Sequence, residues 1–465
     1  MKKLIEKAET LEEAIAIQQL GTMWKKTGFS YDVRLEKMTD DIYYFKKDEK
    51  LSFTQPEAKQ THKLIIGDNY KALINLQQEY QGKIKMIYID PPYGKDSMGQ
   101  FAKTNYKNNI TRDNLLSMLE PRLRLARNLL SDDGVIFCSI DDKNQAYVKI
   151  LFDEVFGEGN FVKCLVWESG KPFGYKATTN TWPRCHEYIL HYAKNINHMH
   201  YQPTYTTEKS SSGEYILTSS IIKAKENQIY SMDWVATANK ESVNVILGVS
   251  AFNNGQKPTS LIKKLLMSST DKNSIILDFF AGSGTTGQAV LEQNKLDGGN
   301  RQFILVQLDE PVEGIQKEFC EKNNLPLNLA SITYERLKRV MTGIASDGSN
   351  FKWLEKNEKL GDNLLVCEVS HCANFDKNVF ENIDETLYGI PKFEKPIDKI
   401  NWVCDNFEGT QIKMYKKKIE DGKEIEDYEI ASEGGFTATE IEEAKKKTEQ
   451  QNNREQDNKQ GFIEE

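Results

Sequence analysis

The sequence predicts an α/β fold built on an open, mostly parallel sheet. Short apolar runs of strand length, IKMIYID (84–90), VIFCSID (135–141), SIILDFF (274–280) and RQFILVQL (301–308), alternate with stretches of helical periodicity. The runs are nearly continuous in apolar residues, as in strands covered on both faces. Two of them end in turn motifs, Asp90-Pro91-Pro92-Tyr93 and Asp278-Phe-Phe-Ala-Gly-Ser-Gly, at the strand ends where open α/β sheets bind ligands.

The elements follow in order. Leu4, Ile5, Ala8, Leu11, Ala14 and Ile15 are spaced for an amphipathic helix over 4–20, packed on the domain or dimerising, and residues 21–60 read as irregular. KLII (63–66) reads as a strand ending at Gly67-Asp68, and NYKALINLQQEY (69–80) as a helix. TRDNLLSMLEPRLRLARNLL (111–130) is a long helix, followed by a DDG turn, the strand 135–141, a helix over 143–156 and the strand FVKCLVW (161–167). Residues 168–256, rich in Gly, Ser, Thr, Asn, Lys and aromatics, break the rhythm and read as an insertion holding one strand, EYILHYA (187–193). Alternation resumes with a helix at 257–269, a strand at 274–280, a helix over TTGQAVLEQN, a strand at 301–308 and a helix at 331–343. The segmentation is 1–60 (helical), 61–167, 168–256 (insertion), 257–345, 346–436 (α+β) and 437–465, a charged tail, helical or disordered.

Composition narrows the class. No run approaches the ~20 apolar residues of a membrane span, and acidic residues follow Lys2-Lys3 where a signal peptide needs an apolar core, so the sequence reads as cytoplasmic. The seven cysteines are scattered without a CxxC pair or zinc-ligand spacing, which points to reduced thiols and no metal. The net charge, 61 − 69 = −8, argues on its face against a nucleic-acid partner. Its distribution does not. Residues 411–465 hold 10 basic and 15 acidic residues, whereas 95–130 hold 7 basic and 3 acidic, and 161–230 hold 8 and 5.

The two motifs carry the chemistry. In 278–286, Gly282 and Gly284 permit a sharp turn and close approach of a ligand ahead of a helix N-terminus. Gly282, Gly284 and Gly287 also satisfy the G-x-G-x-x-G spacing, a weak signal alone, and no Gly-Lys-Ser/Thr follows to make a P-loop. Asp278 before the turn suits a ligand carrying a cationic amino group. In Asp90-Pro91-Pro92-Tyr93 the prolines fix φ and remove donors, leaving carbonyl acceptors, an Asp carboxylate and an aromatic plate. That set suits a planar ring with an exocyclic amino group, which donates to Asp90 and the Pro91 carbonyl while the ring stacks on Tyr93.

Together these residues resemble the β-class DNA adenine-N6 methyltransferases, in which a DPPY motif precedes an FxGxG motif with a target-recognition insertion between them. LIIGDNYKAL, KMIYIDPPYG, LLSDDGVIFCSIDD, HEYILHYAKN, KPTSLIKKLL, DFFAGSGTT and ITYERLKR resemble the modification (Mod) subunits of type III restriction-modification systems, over about residues 60–345. The resemblance implies a Rossmann-like class I methyltransferase fold, circularly permuted, with S-adenosylmethionine as cofactor. It implies that Asp90, Pro91, Pro92 and Tyr93 hold a flipped adenine, and that Phe280, Ala281, Gly282, Ser283, Gly284 and Thr285 wrap the methionine part of the cofactor. Asp278 would lie near the cofactor's amino group, Asp68 near its adenine, and the helix opening at Lys257-Pro258 over its methionine end. Gln307, or alternatively Asp309, would hold the ribose. Lys95, Lys103, Lys107 and Arg112 are candidate DNA-phosphate contacts and His186 a candidate at the target pocket. His186-Glu187-Tyr188 lacks the second helical His of a zinc protease and reads equally as structural. The implied partners are double-stranded DNA with base flipping, a second copy of the chain, and a helicase-nuclease restriction subunit. The competing readings are cytosine-N4 methylation, where Ser more often leads the motif; RNA or protein amide methylation, where Asn does; a catalytically silent DNA-binding subunit; and a nicotinamide dehydrogenase, which leaves DPPY unexplained.

Overall fold

A computed structural model describes residues 41–93, 112–168, 186–209, 212–217, 221–223, 245–248, 256–373, 379–407, 412–420 and 423–431. The helix expected over 4–20, the charged tail after 436, Lys95, Lys103 and Lys107 lie outside them.

The described chain builds one ten-stranded sheet with helices on both faces. Its strands are β1 (Asp41–Lys47), β2 (Thr61–Ile66), β3 (Ile84–Ile89), β4 (Leu130–Ile140), β5 (Phe161–Glu168), β6 (His186–Ala193), β9 (Ile221–Lys223), β10 (Ile275–Asp278), β11 (Gln302–Gln307) and β12 (Asn363–Ala373), with β7 (Tyr205–Lys209) and β8 (Tyr215–Leu217) forming a separate hairpin. The order is β1-β12-β2-β11-β10-β3-β4-β6-β5-β9. The six strands from β12 to β4 are mutually parallel, and β1 and β6 pair antiparallel at either side of that block.

Seven of the chain's helices are α1 (Asn69–Tyr80), α2 (Arg112–Leu129), α3 (Gln145–Phe156), α4 (Thr259–Ser269), α5 (Thr285–Asp297), α6 (Ile315–Lys322) and α7 (Leu329–Thr342). Leu73 and Leu76 of α1, Leu119 and Leu123 of α2, and Leu151 and Phe152 of α3 pack on one face with Ile87 and Ile89 of β3. Leu261 and Leu265 of α4, Val290 of α5 and Leu337 of α7 pack on the other with Met86 and Tyr88. The period-2 alternation of β3 thus feeds two cores, which is why the strand is apolar throughout.

Three expectations change. Residues 41–47 are not irregular: they form β1, paired residue for residue with β12 from Asp41↔Ala373 to Lys47↔Cys367. The C-terminal region is not an appendage after 345, because β12 lies parallel to β2 inside the main sheet. Gly67 at the end of β2 has φ +139°, and a Cβ there would meet Val369 Cβ of β12 at 2.8 Å, so the two strands close on a glycine. The DDG segment is not a turn but part of β4. A Cβ on Gly134 would lie 2.9 Å from both the Ile84 and Ser131 carbonyl oxygens, so glycine lets the chain pass through a register shift without leaving the sheet.

A buried, ion-paired arginine ties residues 246 and 247 to this frame. Arg339 of α7 donates to Glu335 Oε1 at 2.7 Å, to the Ile246 and Leu247 carbonyls at 3.0 and 3.3 Å, and to Asn323 Oδ1 at 2.9 Å. Both charges are shielded from water, so removing one leaves the other uncompensated. Arg339→Met should cost about 3–5 kcal/mol in urea unfolding; a loss below about 1 kcal/mol would show that the pair is not desolvated.

Candidate active site

The site forms where two parallel neighbours, β3 and β10, end side by side. Leu277 is in register with Ile87, so Asp278 and the Asp90 segment leave the same edge of the sheet. The chain from β3 goes on to β4 on one side, and that from β10 goes on to β11 on the other. This divergence is the switch point at which open α/β sheets present a crevice.

β3 ends because Pro91 and Pro92 have no N–H to continue a ladder. Asp90 then meets three side chains. Its Oδ2 accepts from Lys257 Nζ at 2.7 Å and its Oδ1 from the Tyr93 hydroxyl at 2.7 Å. Tyr93 also lies 3.1 Å from Glu187 Oε2, which pairs with Lys257 at 3.1 Å. The Lys257 ammonium is 5.5 Å from the Tyr93 ring centre and 5.8 Å from that of Trp167. Burial pushes the Asp90 carboxyl above its ordinary range and the Glu187 charge adds to it, while Lys257 pulls it down. Burial opposes the Lys257 charge, but the two carboxylates outweigh it and hold its pKa above the usual lysine value. Behind the motif, Asn144 at the start of α3 donates to the Tyr93 carbonyl at 2.9 Å and to Asp141 Oδ1 at 2.9 Å, holding the loop from below.

The glycine turn is braced from within. Gly282 (φ +52°) and Gly284 (φ +79°) adopt left-handed conformations, and Gly284 caps α5. The Gly282 N–H donates to Gln307 Oε1 at 2.7 Å, Thr333 Oγ1 donates to the Gly282 carbonyl at 2.5 Å, and Arg336 donates to the Ser283 carbonyl at 3.0 Å. Arg336 also donates to Ser283 Oγ, Thr285 Oγ1 and Gln288 Oε1 at 2.8, 2.9 and 2.9 Å. Burial lowers its pKa to about 9. Asp278 accepts from the Phe280 N–H at 3.0 Å and from Thr286 Oγ1 at 2.5 Å, and burial pushes its carboxyl up to about 7. Beside this turn, Asp68 caps α1 by accepting from the Tyr70 and Lys71 N–H groups, and Arg122 donates to its other oxygen at 3.1 Å. Asn69 joins the two parts, donating to the Phe279 carbonyl at 2.8 Å and accepting from Arg122 at 2.5 Å.

The structure therefore gathers Asp68, Asp90, Tyr93, Lys257, Asp278 and the 280–285 turn at one sheet edge, but redistributes some tasks. Lys257 sits on Asp90 and Glu187 rather than over the glycine turn. Gln307 is buried, with its oxygen on Gly282 and its nitrogen 3.3 Å from the Leu308 carbonyl. It braces the turn instead of facing a ligand, whereas Asp309 is exposed just beyond the strand. The Ser283 and Thr285 hydroxyls turn inward to Arg336. Gly287 serves packing: a Cβ would meet Leu337 Cδ2 at 2.9 Å. His186 packs edge-on to Tyr188, with ring centres 5.1 Å apart, and Arg112 opens α2. Sequence reading gave no role to Glu187, Asn69, Thr333 or Arg336, although each lies in a family-like phrase, and Asn144 lies outside all of them. Glu187 and Asn69 stood beside residues that sequence reading singled out, His186 and Asp68.

The turn fits an adenosylated amino acid. A Cβ on Gly282 would meet nothing nearer than the Phe280 carbonyl at 3.8 Å, which leaves open space over the turn, and the Asp68 side chain is 43% exposed beside it.

Comparison with known proteins gives a match of residues 84–318 to the model of the DNA methylase family; a second model, described as an uncharacterised conserved protein, matches residues 1–84. The chain is 29% identical to the StyLTI Mod subunit of a Salmonella typhimurium type III restriction-modification enzyme, over 63% of this chain and 59% of that protein. It is 27% identical to the EcoPI Mod subunit of Escherichia phage P1, over 65% and 66%. It is 26% identical to the type II methyltransferase M.KpnI of Klebsiella pneumoniae, over 58% and 86%. The chain thus spans less than two thirds of the Mod subunits it matches. Among solved structures, the cytosine-N4-specific PvuII DNA methyltransferase aligns with 63% of this chain and 92% of its own, at 14% identity and a TM-score of 0.39.

The Asp278 environment makes a pH prediction. Its folded pKa of about 7 lies above the ordinary 3.8, so its contribution to stability is complete below 3.8 and is lost as pH rises through about 7. Between about pH 4 and about pH 8 the wild type should lose stability relative to Asp278→Asn, read as the difference between their urea midpoints. Parallel curves for the two proteins would refute the assignment.

Proposed function

The chain belongs to the DNA methylase family, and on that premise we propose that it transfers a methyl group from S-adenosylmethionine to the N6 amino group of adenine in double-stranded DNA, within a restriction-modification system. The observation that carries this reading is the Asp90–Tyr93 segment, an acceptor carboxylate and an aromatic ring, at the sheet edge shared with the glycine turn.

S-adenosylmethionine, when bound, supplies a methyl group on a sulfonium. Phe280 to Gly284 and Asp68 would hold it, with Asp309 in place of Gln307 toward the ribose. Asp90 and the Pro91 carbonyl accept the N6 hydrogens and bias the nitrogen lone pair toward the methyl carbon, and Tyr93 stacks the ring. As the N6–carbon bond forms and the sulfur–carbon bond breaks, Asp90 faces the developing positive charge and accepts the departing proton. A paired base cannot reach a pocket at the sheet edge, so the adenine is flipped out. Arg112 and the lysines 95, 103 and 107 contact phosphates, and the 168–256 insertion, which includes His186, reads the sequence. Asp as the first residue of the motif favours adenine over cytosine N4. Similarity to Mod subunits of restriction-modification enzymes supports a restriction subunit as partner; a second copy of the chain in the assembly and a cytoplasmic location belong to the same proposal. Among the described residues, no helix is long and apolar enough to cross a membrane.

Labelled S-adenosylmethionine incubated with the protein and unmethylated genomic DNA should yield N6-methyladenine. N4-methylcytosine, or no labelled base, overturns the reading. Asp90→Ala should lower kcat by about 10²–10³-fold while cofactor affinity, measured by calorimetry, stays near the wild-type value.

A further inference from the structure

The proposed reaction leaves two charged groups beside Asp90 without a task. Lys257 and Glu187 come from different parts of the chain, one just ahead of α4 and the other at the start of β6. Lys257 is shared between two carboxylates, 2.7 Å from Asp90 Oδ2 and 3.1 Å from Glu187 Oε2, and it reaches the Tyr93 hydroxyl at 3.2 Å. Its side chain is only 5% exposed.

This arrangement sets a problem for any incoming base. One Asp90 oxygen is taken by Lys257 and the other by Tyr93. Each carboxylate oxygen can accept from two donors, but an amino group arriving on Oδ2 crowds the ammonium already bonded there and competes with it for the same charge. A buried ammonium deprived of its counter-ion is strongly disfavoured, so it must keep a second anion within reach. Glu187 is already bonded to it.

We propose that Lys257 and Glu187 act together as positioning residues for the target base: Lys257 occupies Asp90 Oδ2 in the empty site and passes to Glu187 when the exocyclic amino group enters. The inference rests on the methyl-transfer reading above. It gives Lys257 two effects. The ammonium favours the ionised Asp90 against burial, and it bars a ligand that brings no N–H donor to displace it. A base that presents only acceptors at this position leaves the ion pair closed.

The groups that face Asp90 are Lys257, Glu187, Tyr93, Tyr88, Asp278 and Cys138, and Lys257 is the cation of this set. Removing it leaves burial and the Glu187 charge to favour the protonated Asp90, which is a weaker acceptor. Removing the Glu187 charge does the reverse to Asp90, and it also leaves Lys257 without its second anion.

The test is the pH dependence of methyl transfer to unmethylated genomic DNA by the full chain. For Lys257→Met the acid limb of kcat/KM should move up by about one pH unit, a tenfold change in the protonation ratio of Asp90. For Glu187→Gln it should move down, and KM for DNA should rise about tenfold with kcat falling far less. The double variant, with both charges removed, should return the limb toward its wild-type position. Opposite shifts with return in the double variant support the pair. Activity lost in each variant with the limb unmoved assigns Lys257 and Glu187 to folding alone and overturns the proposal. An absence of N6-methyladenine with the wild type is a different result, which sinks the reaction and not the pair.

Discussion

Everything at the active edge depends on the hydrogen bonds between β3 and β10. Only Ile276↔Met86 and Leu277↔Ile87 form rungs between them, yet these two rungs bring together segments that are remote in the chain. The strands are parallel, so both end on the same side. The motif prolines stop one ladder and the glycines turn the other into a helix. A shift of one residue in this register would send each side chain at the strand ends to the opposite face. The cores on the two faces prevent it, because Ile87 and Ile89 are committed to one and Met86 and Tyr88 to the other.

The edge holds its shape through polar groups placed in the interior. Arg336 spans Ser283, Thr285 and Gln288, Gln307 holds Gly282, and Asn69 links Phe279 to Arg122. A backbone with glycines at positive φ is entropically free in the unfolded chain and needs such anchoring to stay in one conformation. The turn's peptide groups are bonded on the side of α7, while the space over Gly282 stays clear. Rigidity and access are thus separated onto the two sides of one loop.

Much of this was legible in the sequence, because the signals were local. The continuous apolar runs of β3, β10 and β11 and the periodicity of α1 to α5 and α7 locate the elements to within a few residues, and proline and glycine mark the strand ends. What escaped was long-range. DIYYFKK carries β-forming residues, but its partner lies in β12, more than three hundred positions away, and nothing local announces the pairing. Gln307 sat where a ligand contact was expected, yet the neighbouring Gly282 N–H had first claim on it. Lys257 was assigned by its place before α4, whereas its contact is decided by where β3 and β6 deliver two carboxylates.

The contact between Gly67 and Val369 bears on how small a working unit can be. The family match runs from 84 to 318 and holds both motifs, yet Asp68 follows β2 as the cap of α1, and β2 is flanked by β11 on one side and β12 on the other. A fragment cut to the match would lose Asp68 altogether. One cut after α7 would leave β2 as a bare edge, with unpaired peptide groups open to other chains. The architectural minimum is the span from β1 to β12, in which the last strand of the sheet in chain order seals the strand that leads into Asp68.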